Sequence, residues 1–399
     1  MSRRIAVAGA GMAAARFAQQ YRAHGGDAEV VLYGAEPRGP YNRVLLADVL
    51  TGRHDPEAIA LPHGAGTIVR AGCEVVGLDL PERRLRLSGG GFAPYDELVL
   101  ATGANPVLPP LRGLYTPDGL KEGVHAFRTL ADCARLAEDA AGAERAVVIG
   151  GGVLGVSAAR ALAALGLPVE IVHQAPHLIE RHLDEQAGNA LRGHLAALGV
   201  ETYPGNRARA LRGGARVTGV ELASGYLLDA DLVVLACGVR PRTGLAGAAG
   251  LTVRSGVVVD DRLAASAPGV YAIGDCAEHR GTVHGLAGPA WEQADLLAAR
   301  LAGADEDARY TGSRPMTRLT AGSLEYAAFG EVGEDAPGTD VLRLVDPTRG
   351  SYKKLVLRGD RLVGGILLGD LSAVGDLTRA YERDDPLPEN PLDLLTTTR

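Results

Sequence analysis

Two copies of one local pattern constrain the fold of this chain more than any other feature. The first copy, RRIAVAGAGMAAARFAQQYRAHGG, reads as a short apolar strand, a glycine turn and a helix that ends at Gly25-Gly26. The second copy, AVVIGGGVLGVSAARALAALGLPVEIVHQ, repeats strand, glycine turn, helix and strand. Units of this kind bind dinucleotides, and the repetition indicates two nucleotide-binding domains related by duplication.

The composition allows two or three domains and argues against several classes of protein. The chain has 399 residues, 46% hydrophobic and 22% charged, with a net charge of -7, so nucleic acid is not an expected partner. Its four cysteines form no C-x-x-C pair, and we predict neither a metal site nor a redox dithiol. No apolar run reaches the ~18 residues of a membrane helix, and the first residues run straight into an apolar strand. We therefore expect no signal peptide, no membrane contact and a cytoplasmic location.

The first glycine turn is Gly9-Ala10-Gly11-Met12-Ala13-Ala14, which has the spacing of a pyrophosphate-binding loop. The first glycine permits the tight turn, the second lets phosphates approach the backbone, and a small third residue packs the helix on the strand. The helix that follows offers N–H groups and the positive end of its dipole. After the strand at 30–33, an acid should meet the ribose; residue 35 is Ala35, so only Glu36 can serve. A purely structural glycine turn is the alternative.

The second glycine turn, Gly150-Gly151-Gly152-Val153-Leu154-Gly155, has the complete pattern. Its second strand, VEIV, ends at His173-Gln174, so the acid that favours NADH over NADPH is missing. Nearby His177 and Arg181 make NADPH a possible ligand beside NADH. For His173 the alternative is a strand-end histidine with no ligand role.

The last part of the chain changes character. Pro289 is expected to begin a helix that Gly303 closes. From residue 313 onward, alternating apolar and polar residues around Gly359-Asp360 predict a β-hairpin. Residues 313–399 are therefore predicted to form a third, smaller α+β domain.

Several segments carry a resemblance to a known family. With the two glycine turns, VLATG, GVRP and GVYAIGDCA resemble the pyridine nucleotide–disulfide oxidoreductase superfamily of flavoprotein reductases. EPRGPYNRVLLADVLTG, APHLIERHLDEQAGNALRGHLAALGV, CAEHRG and YKKLVLRGDRLVGGILLGD look like the FAD/NAD(P)H module that begins assimilatory nitrite reductase large subunits. Rubredoxin, ferredoxin and dioxygenase-component reductases are similar as well.

The resemblance implies an α/β fold with two Rossmann-like dinucleotide-binding domains, as in glutathione reductase, and a small C-terminal α+β domain. The FAD-binding domain would comprise 1–112 and 244–312, and the NAD(P)H-binding domain 113–243. The C-terminal domain, 313–399, would serve as an interface, which allows a homodimer.

The resemblance also assigns site residues by position. FAD would lie at Gly9, Ala10, Gly11, Met12, Ala13 and Ala14, at Glu36 and Arg43, at Ala101, Thr102 and Gly103, at Gly274 and Asp275, and at the helix start, Pro289. NADH or NADPH would lie at Gly150, Gly152, Val153, Leu154, Gly155, Ser157, His173, Arg181 and Gly238. Asp275 would accept hydrogen bonds from the ribityl chain, as a carboxylate after a strand end can. Asp48 and Trp291, expected near the flavin, are candidates for tuning catalysis; for Trp291 ordinary core packing is the alternative.

Three of these positions depart from the family pattern. The family usually has an acid at Ala35, some members have a lysine at Asp48, and many have a glutamate at Ser157. An aspartate at position 48 would disfavour added negative charge on the flavin, and a serine at 157 keeps a hydrogen bond but no charge.

The resemblance and the missing dithiol together predict an FAD-dependent NAD(P)H reductase. Electrons would pass to a separate acceptor protein with an iron–sulfur or haem centre, such as a ferredoxin, a rubredoxin or a nitrite reductase catalytic subunit, because no cysteines for such centres follow in this chain. An NAD(P)H oxidase or small-molecule reductase is one alternative, and a non-catalytic flavin- or nucleotide-binding subunit is another.

A set of basic residues in the C-terminal domain could meet an acidic electron carrier. A solvated hairpin face is the alternative. The set consists of Arg343, Arg349, Lys353, Lys354, Arg358 and Arg361.

Overall fold

The computed structural model describes residues 3–314, 316–321, 324–334 and 336–396. The strands in chain order are β1 Arg4–Ala8, β2 Glu29–Tyr33, β3 Ile68–Arg70, β4 Val75–Asp79, β5 Arg84–Leu87, β6 Phe92–Pro94, β7 Glu97–Leu100, β8 Ala104–Pro106, β9 Tyr115–Thr116, β10 Gly119–Leu120, β11 Val124–Ala126, β12 Ala146–Ile149, β13 Val169–Val172, β14 Val200–Tyr203, β15 Ala208–Arg212, β16 Gly219–Leu222, β17 Leu227–Asp229, β18 Leu232–Leu235, β19 Val239–Pro241, β20 Val257–Val259, β21 Val270–Ala272, β22 Ala277–His279, β23 Met316–Ala321, β24 Leu324–Gly330, β25 Thr339–Asp346, β26 Ser351–Arg358 and β27 Arg361–Leu368.

The α-helices are α1 Met12–Ala23, α2 Leu46–Leu50, α3 Leu130–Ala140, α4 Val153–Ala164, α5 Glu185–Ala197, α6 Gly244–Ala248, α7 Ala287–Leu301, α8 Val374–Arg383 and α9 Asp393–Thr396. Short 3₁₀ turns cover Arg43–Leu45 and Gly274–Cys276. Among the described residues, no helix is both long and apolar enough to cross a membrane.

The chain divides into two compact units, and the first comprises the described parts of Met1–Leu45, His54–Asn105 and Val239–Pro315. Its main sheet has the parallel order β21-β7-β1-β2-β3, with α1 as the crossover from β1 to β2. The strands are short and almost wholly apolar because they are buried, and their side chains share one core with residues of α1, α7 and the strands β4, β5 and β6. An antiparallel sheet, β4-β5-β6, stands between β3 and β7 in the chain.

The second unit comprises the described parts of Leu46–Arg53, Pro106–Gly238 and Met316–Arg399. Its parallel sheet has the order β11-β18-β12-β13-β14, with α4 as the crossover from β12 to β13, and an antiparallel sheet, β15-β16-β17, precedes β18. The two parallel sheets therefore have the same plan, and the predicted pair of Rossmann-like domains is confirmed.

The C-terminal part of the second unit is a five-stranded antiparallel sheet of order β23-β24-β27-β26-β25, packed with α8. Strands β26 and β27 form the predicted hairpin, and Gly359 in its loop has φ +60°, which suits glycine. The small C-terminal α+β fold is confirmed. The division into three domains at the residues given above stays a prediction.

Candidate functional site

The first glycine turn joins β1 to α1 in the first unit. Gly9 has φ +124°, and a Cβ built there would lie 2.1 Å from the Ala101 carbonyl oxygen, so only glycine fits. Gly11 is the N-cap of α1, and a Cβ built there would meet no atom within 4 Å. Ala14 is fully buried, as the small third residue of such a turn should be.

This contrast between a closed and an open glycine fits a bound pyrophosphate. The tight position closes the turn against residue 101, and the open position leaves room in front of the first turn of α1. The first N–H groups of a helix have no partner within the helix and attract anions. The residues present therefore fit the phosphates of a dinucleotide.

Residues 101–103 follow β7 and cross this turn. The Ala101 N–H donates to the Ala8 carbonyl (2.9 Å), and the Thr102 hydroxyl donates to the Arg242 carbonyl (2.8 Å). Gly103 has φ +72°. The structure thus brings together Ala101 and Gly9, both of which the resemblance assigns to FAD.

Gly274 and Asp275 lie in the 3₁₀ turn shortly after β21. The Gly274 N–H donates to Oε1 of Gln293 (2.8 Å), whose side chain is almost wholly buried in α7. A Cβ built at Gly274 would lie 3.1 Å from the Ala13 Cβ, so this turn packs directly on the start of α1. The predicted residues Ala13, Gly274 and Asp275 therefore share one corner of the first unit. Gln293 was missed, because an isolated glutamine inside a helix carries no sequence signal.

Helix α7 begins at Ala287, so the prediction that Pro289 starts it is wrong by two residues. Pro289 is the third helical residue, where the missing N–H is still not needed by the helix. Trp291 is half-buried on this helix. The bidentate ion pair between Arg16 and Asp295 (2.6 and 2.8 Å) fastens α1 to α7.

Glu36 and Arg43 form an ion pair with each other. The Tyr41 hydroxyl donates to the second carboxylate oxygen of Glu36 (2.7 Å). Gly34, which precedes these residues, is required because a Cβ there would lie 2.8 Å from the Ala10 Cβ of the glycine turn. The carboxylate predicted for the ribose is thus held in place beside that turn. Tyr41 was missed because its role depends on this pairing.

Asp48 lies in α2, within the second unit. Its carboxylate is 3.7 Å from the Arg53 guanidinium. Burial and the nearby Arg53 lower the pKa of Arg160 in α4, and the charge of Asp48 opposes that effect. The Asp48 carboxylate therefore interacts electrostatically with two arginines, Arg53 and Arg160.

The second glycine turn repeats the geometry of the first. Gly150 has φ +115° and a Cβ there would lie 2.2 Å from the Ala236 carbonyl oxygen, whereas a Cβ at Gly152 would meet no atom within 4 Å. A Cβ at Gly155 would lie 1.8 Å from the Gly150 oxygen, so the third position tolerates only glycine here. Gly238 has φ +97° and corresponds to Gly103 in the first unit.

Val153 and Leu154 open α4, and Ser157 is half-buried one turn further along the helix. His173, immediately after β13, is buried beneath the turn. Its Nδ1 accepts from the Gly151 N–H (3.0 Å), so Nε2 carries the proton and donates to Glu180 (3.0 Å). His173 therefore holds the turn from below, and its direct contact with a nucleotide stays a prediction.

Arg181 is exposed on the loop between β13 and α5. The same loop contains Glu180, which sequence reasoning missed, and ends at Asp184, the N-cap of α5. Asp184 could have been read from the pattern of an acid before a helix.

Two members of the basic set in the C-terminal domain are not on the solvated surface, whereas Arg343, Arg349 and Arg358 are exposed and Arg361 is half-buried, so for these four a role in meeting a carrier stays a prediction. Lys353 is 4% exposed and Lys354 is fully buried. Lys353 pairs with Asp370 (2.6 Å), and Lys354 pairs with Asp184 (2.9 Å) and Glu334 (2.8 Å). The prediction that these two lysines meet an acidic carrier is wrong, because their charges are used inside the protein.

Comparison with known proteins identifies the family. Residues 3–294 match the pyridine nucleotide-disulphide oxidoreductase family, and residues 315–384 match the rubredoxin NAD+ reductase C-terminal domain. The chain belongs to the pyridine nucleotide-disulphide oxidoreductases. FAD and NAD(P)H, the cofactors expected from the sequence, are those of this family.

Individual relatives agree with this assignment. The chain is 35% identical over 393 residues to the NAD(P)H nitrite reductase of Bacillus subtilis, covering 97% of this chain and 48% of that protein. It is 34% identical to the assimilatory nitrate reductase electron transfer subunit of the same organism, over 92% of this chain and 48% of that one. The chain thus spans about half the length of these relatives. A ferredoxin reductase of Rhodopseudomonas palustris has the same fold, with 27% identity, TM-score 0.86 and coverage of 96% and 95%.

Proposed function

We propose that this protein is an FAD-dependent NAD(P)H reductase that passes electrons to a separate acceptor protein. The observation that carries the proposal is the pair of glycine turns. In each turn a Cβ atom at the first glycine would clash with a backbone carbonyl, whereas a Cβ atom at the second would meet no atom within 4 Å. One turn lies in each compact unit, so the chain offers two dinucleotide sites of one design.

The first unit would hold FAD. Gly11 and the start of α1 would receive the pyrophosphate, with Arg43 near the phosphates. Glu36 would accept from the adenosine ribose, and Asp275 from the ribityl chain. The 101–103 turn and the start of α7, which includes Pro289, would complete the site.

The second unit would hold NADH or NADPH. Gly152, with Val153 and Leu154, would receive the pyrophosphate at the start of α4. Ser157 and Gly238 would lie toward the nicotinamide, and Arg181 would meet a 2′-phosphate where one is present. Because no acid follows β13, this site does not repel NADPH electrostatically.

Bound FAD can accept a hydride from NAD(P)H and release the two electrons one at a time. The four cysteines form no C-x-x-C pair, so the chain has no redox-active dithiol of that spacing to take part in electron transfer. Its own contribution to this chemistry is to bind and orient the two cofactors. Asp48 and Trp291 are the proposed tuning residues, and Arg53 reduces the field of Asp48.

The proposed acceptor is an iron–sulfur or haem protein. Relatives of this chain include the terpredoxin reductase of a Pseudomonas species, which is 30% identical over 95% of both chains. We further propose a cytoplasmic location, because all four cysteines are free thiols, as is usual in a reducing compartment. The C-terminal sheet is the proposed surface for a homodimer.

The test is anaerobic addition of NADH or NADPH to the FAD-loaded protein. We expect the flavin absorbance to bleach with one or both nucleotides and to return when an oxidised ferredoxin or rubredoxin is added. Rapid return with oxygen alone and none with protein carriers would make the protein an oxidase. If neither nucleotide bleaches the flavin, the protein is a non-catalytic binding subunit and the proposal is wrong.

A further inference from the structure

The loop between β13 and α5 runs directly beneath the second glycine turn. The Ile179 N–H donates to the Gly151 carbonyl (2.9 Å), and His173 links the Gly151 N–H to Glu180. Ile179 is buried and has φ +53°, a conformation that a β-branched residue adopts only when its surroundings impose it. The shape of this loop and the shape of the turn are therefore set together.

The far end of the loop is fastened to the C-terminal sheet. The Leu183 N–H donates to the Ile179 carbonyl (3.0 Å), and the next residue, Asp184, caps α5 by accepting from the Ala187 N–H (2.9 Å). The other oxygen of Asp184 accepts from the Tyr352 hydroxyl (2.6 Å) and from Lys354 Nζ (2.9 Å), both on β26. One side chain thus ends the loop, starts the helix and holds the sheet.

Lys354 acts as a fixed anchor in this network. Its ammonium group is fully buried and donates to Asp184, to Glu334 (2.8 Å) and to the Val332 carbonyl (2.7 Å), which uses all three of its N–H groups. Burial by itself would raise the pKa of Asp184, but the hydrogen bonds from Tyr352, the Ala187 N–H and Lys354 lower it overall. The pair is tolerated inside the protein only because its geometry is complete.

We infer that Tyr352 and Lys354 are positioning residues of the second dinucleotide site. Through Asp184 they hold the 174–183 loop in the shape that supports the glycine turn from below and presents Arg181 to the nucleotide. The C-terminal domain thereby sets the affinity for NAD(P)H without touching it. This inference rests on the proposed function, because it takes the second turn as the nucleotide site.

The experiment compares three variants of the FAD-loaded protein. Tyr352→Phe removes one hydroxyl, and Lys354→Met removes the anchor. The control, His194→Leu, breaks a different bond between the same helix and the same domain, the 2.7 Å bond from His194 to the Gly350 carbonyl in the loop before β26. Calorimetric titration with NAD+ and NADP+ gives dissociation constants, and thermal unfolding gives stability.

We expect Tyr352→Phe to weaken binding of the preferred nucleotide by roughly 3- to 10-fold, the equivalent of one lost hydrogen bond. The rate of flavin bleaching at saturating nucleotide should stay the same, so the change appears in KM and not in kcat. Lys354→Met should weaken binding further; if it does not fold, Tyr352→Phe alone decides. His194→Leu should lower the unfolding temperature and leave the dissociation constant unchanged.

Two other results would overturn the inference, and they differ from each other. Unchanged affinity in Tyr352→Phe, with normal binding by the unaltered protein, means that the network is structural only. If the unaltered protein binds neither NAD+ nor NADP+, the proposed function fails and the inference falls with it.

Discussion

The contrast between Gly9 and Gly11 predicts two opposite outcomes for the same chemical change. In Gly9→Ala the new methyl group would lie 2.1 Å from the Ala101 oxygen at φ +124°, where something must move. The strain should cost about 3 kcal/mol or more of the 5–15 kcal/mol that stabilises a typical domain. In Gly11→Ala the methyl group meets no atom within 4 Å and φ is -95°, so the folded protein without FAD should keep its stability within about 1 kcal/mol.

Gly11→Ala should leave stability unchanged but weaken the binding of FAD. If the open space receives the pyrophosphate, the methyl group occupies it, and the dissociation constant for FAD should rise by at least about 10-fold, or 1.4 kcal/mol. The assay is urea unfolding of the FAD-free protein, followed by titration with FAD. Unchanged FAD affinity in Gly11→Ala, or an equal loss of stability in both variants, would refute the reasoning. Gly150→Ala and Gly152→Ala form the same pair for NAD(P)H.

Three further predictions concern single side chains. Glu36→Ala should raise the dissociation constant for FAD by about 10-fold, because one hydrogen bond to a carboxylate is lost. Spectroscopic titration measures this constant, and an unchanged value would contradict the prediction. His173→Ala leaves the Gly151 N–H without its hydrogen-bond acceptor, which costs about 1–3 kcal/mol. We therefore expect a higher Kd for NAD(P)H while FAD stays bound. His173→Asn restores an acceptor and should recover part of the affinity. The hydrogen bond from Lys353 lowers the pKa of Asp370 to about 2. The ion pair therefore contributes fully to stability above the ordinary aspartate pKa of about 3.9, and this contribution is lost as the pH falls toward 2. Thermal unfolding between pH 5 and pH 2 should show this loss, and Asp370→Asn should flatten that part of the profile.

Much of the fold could be predicted because its signals are local. The strands at 5–8 and 30–33 and the helix that ends at Gly25-Gly26 follow from short-range periodicity and glycine punctuation, and the structure has them within a residue or two. The start of α7 was misplaced because a proline fits any position of the first helical turn. The repeated pattern also predicted the repeated sheet.

The glycine turns of the candidate site were equally readable, because each position has its own steric requirement. The supporting side chains were not. Gln293 meets Gly274 only after α7 packs beside α1, and His173 meets Gly151 only after β13 pairs with β12. Nothing in the neighbouring sequence of either residue marks these contacts.

The sequence alone determined that the chain has two dinucleotide-binding folds, since spacing, glycine positions and strand periodicity are properties of short segments. Only the tertiary structure decided which charged side chains lie on the surface, where they can meet a partner, and which are paired inside the protein. Lys353 and Lys354 looked like surface cations, but both are buried, on opposite faces of β26, and Lys354 meets Asp184 across 170 positions of chain. The reason is physical: a buried charge requires partners, and partners so distant in the chain are set by packing rather than by local sequence.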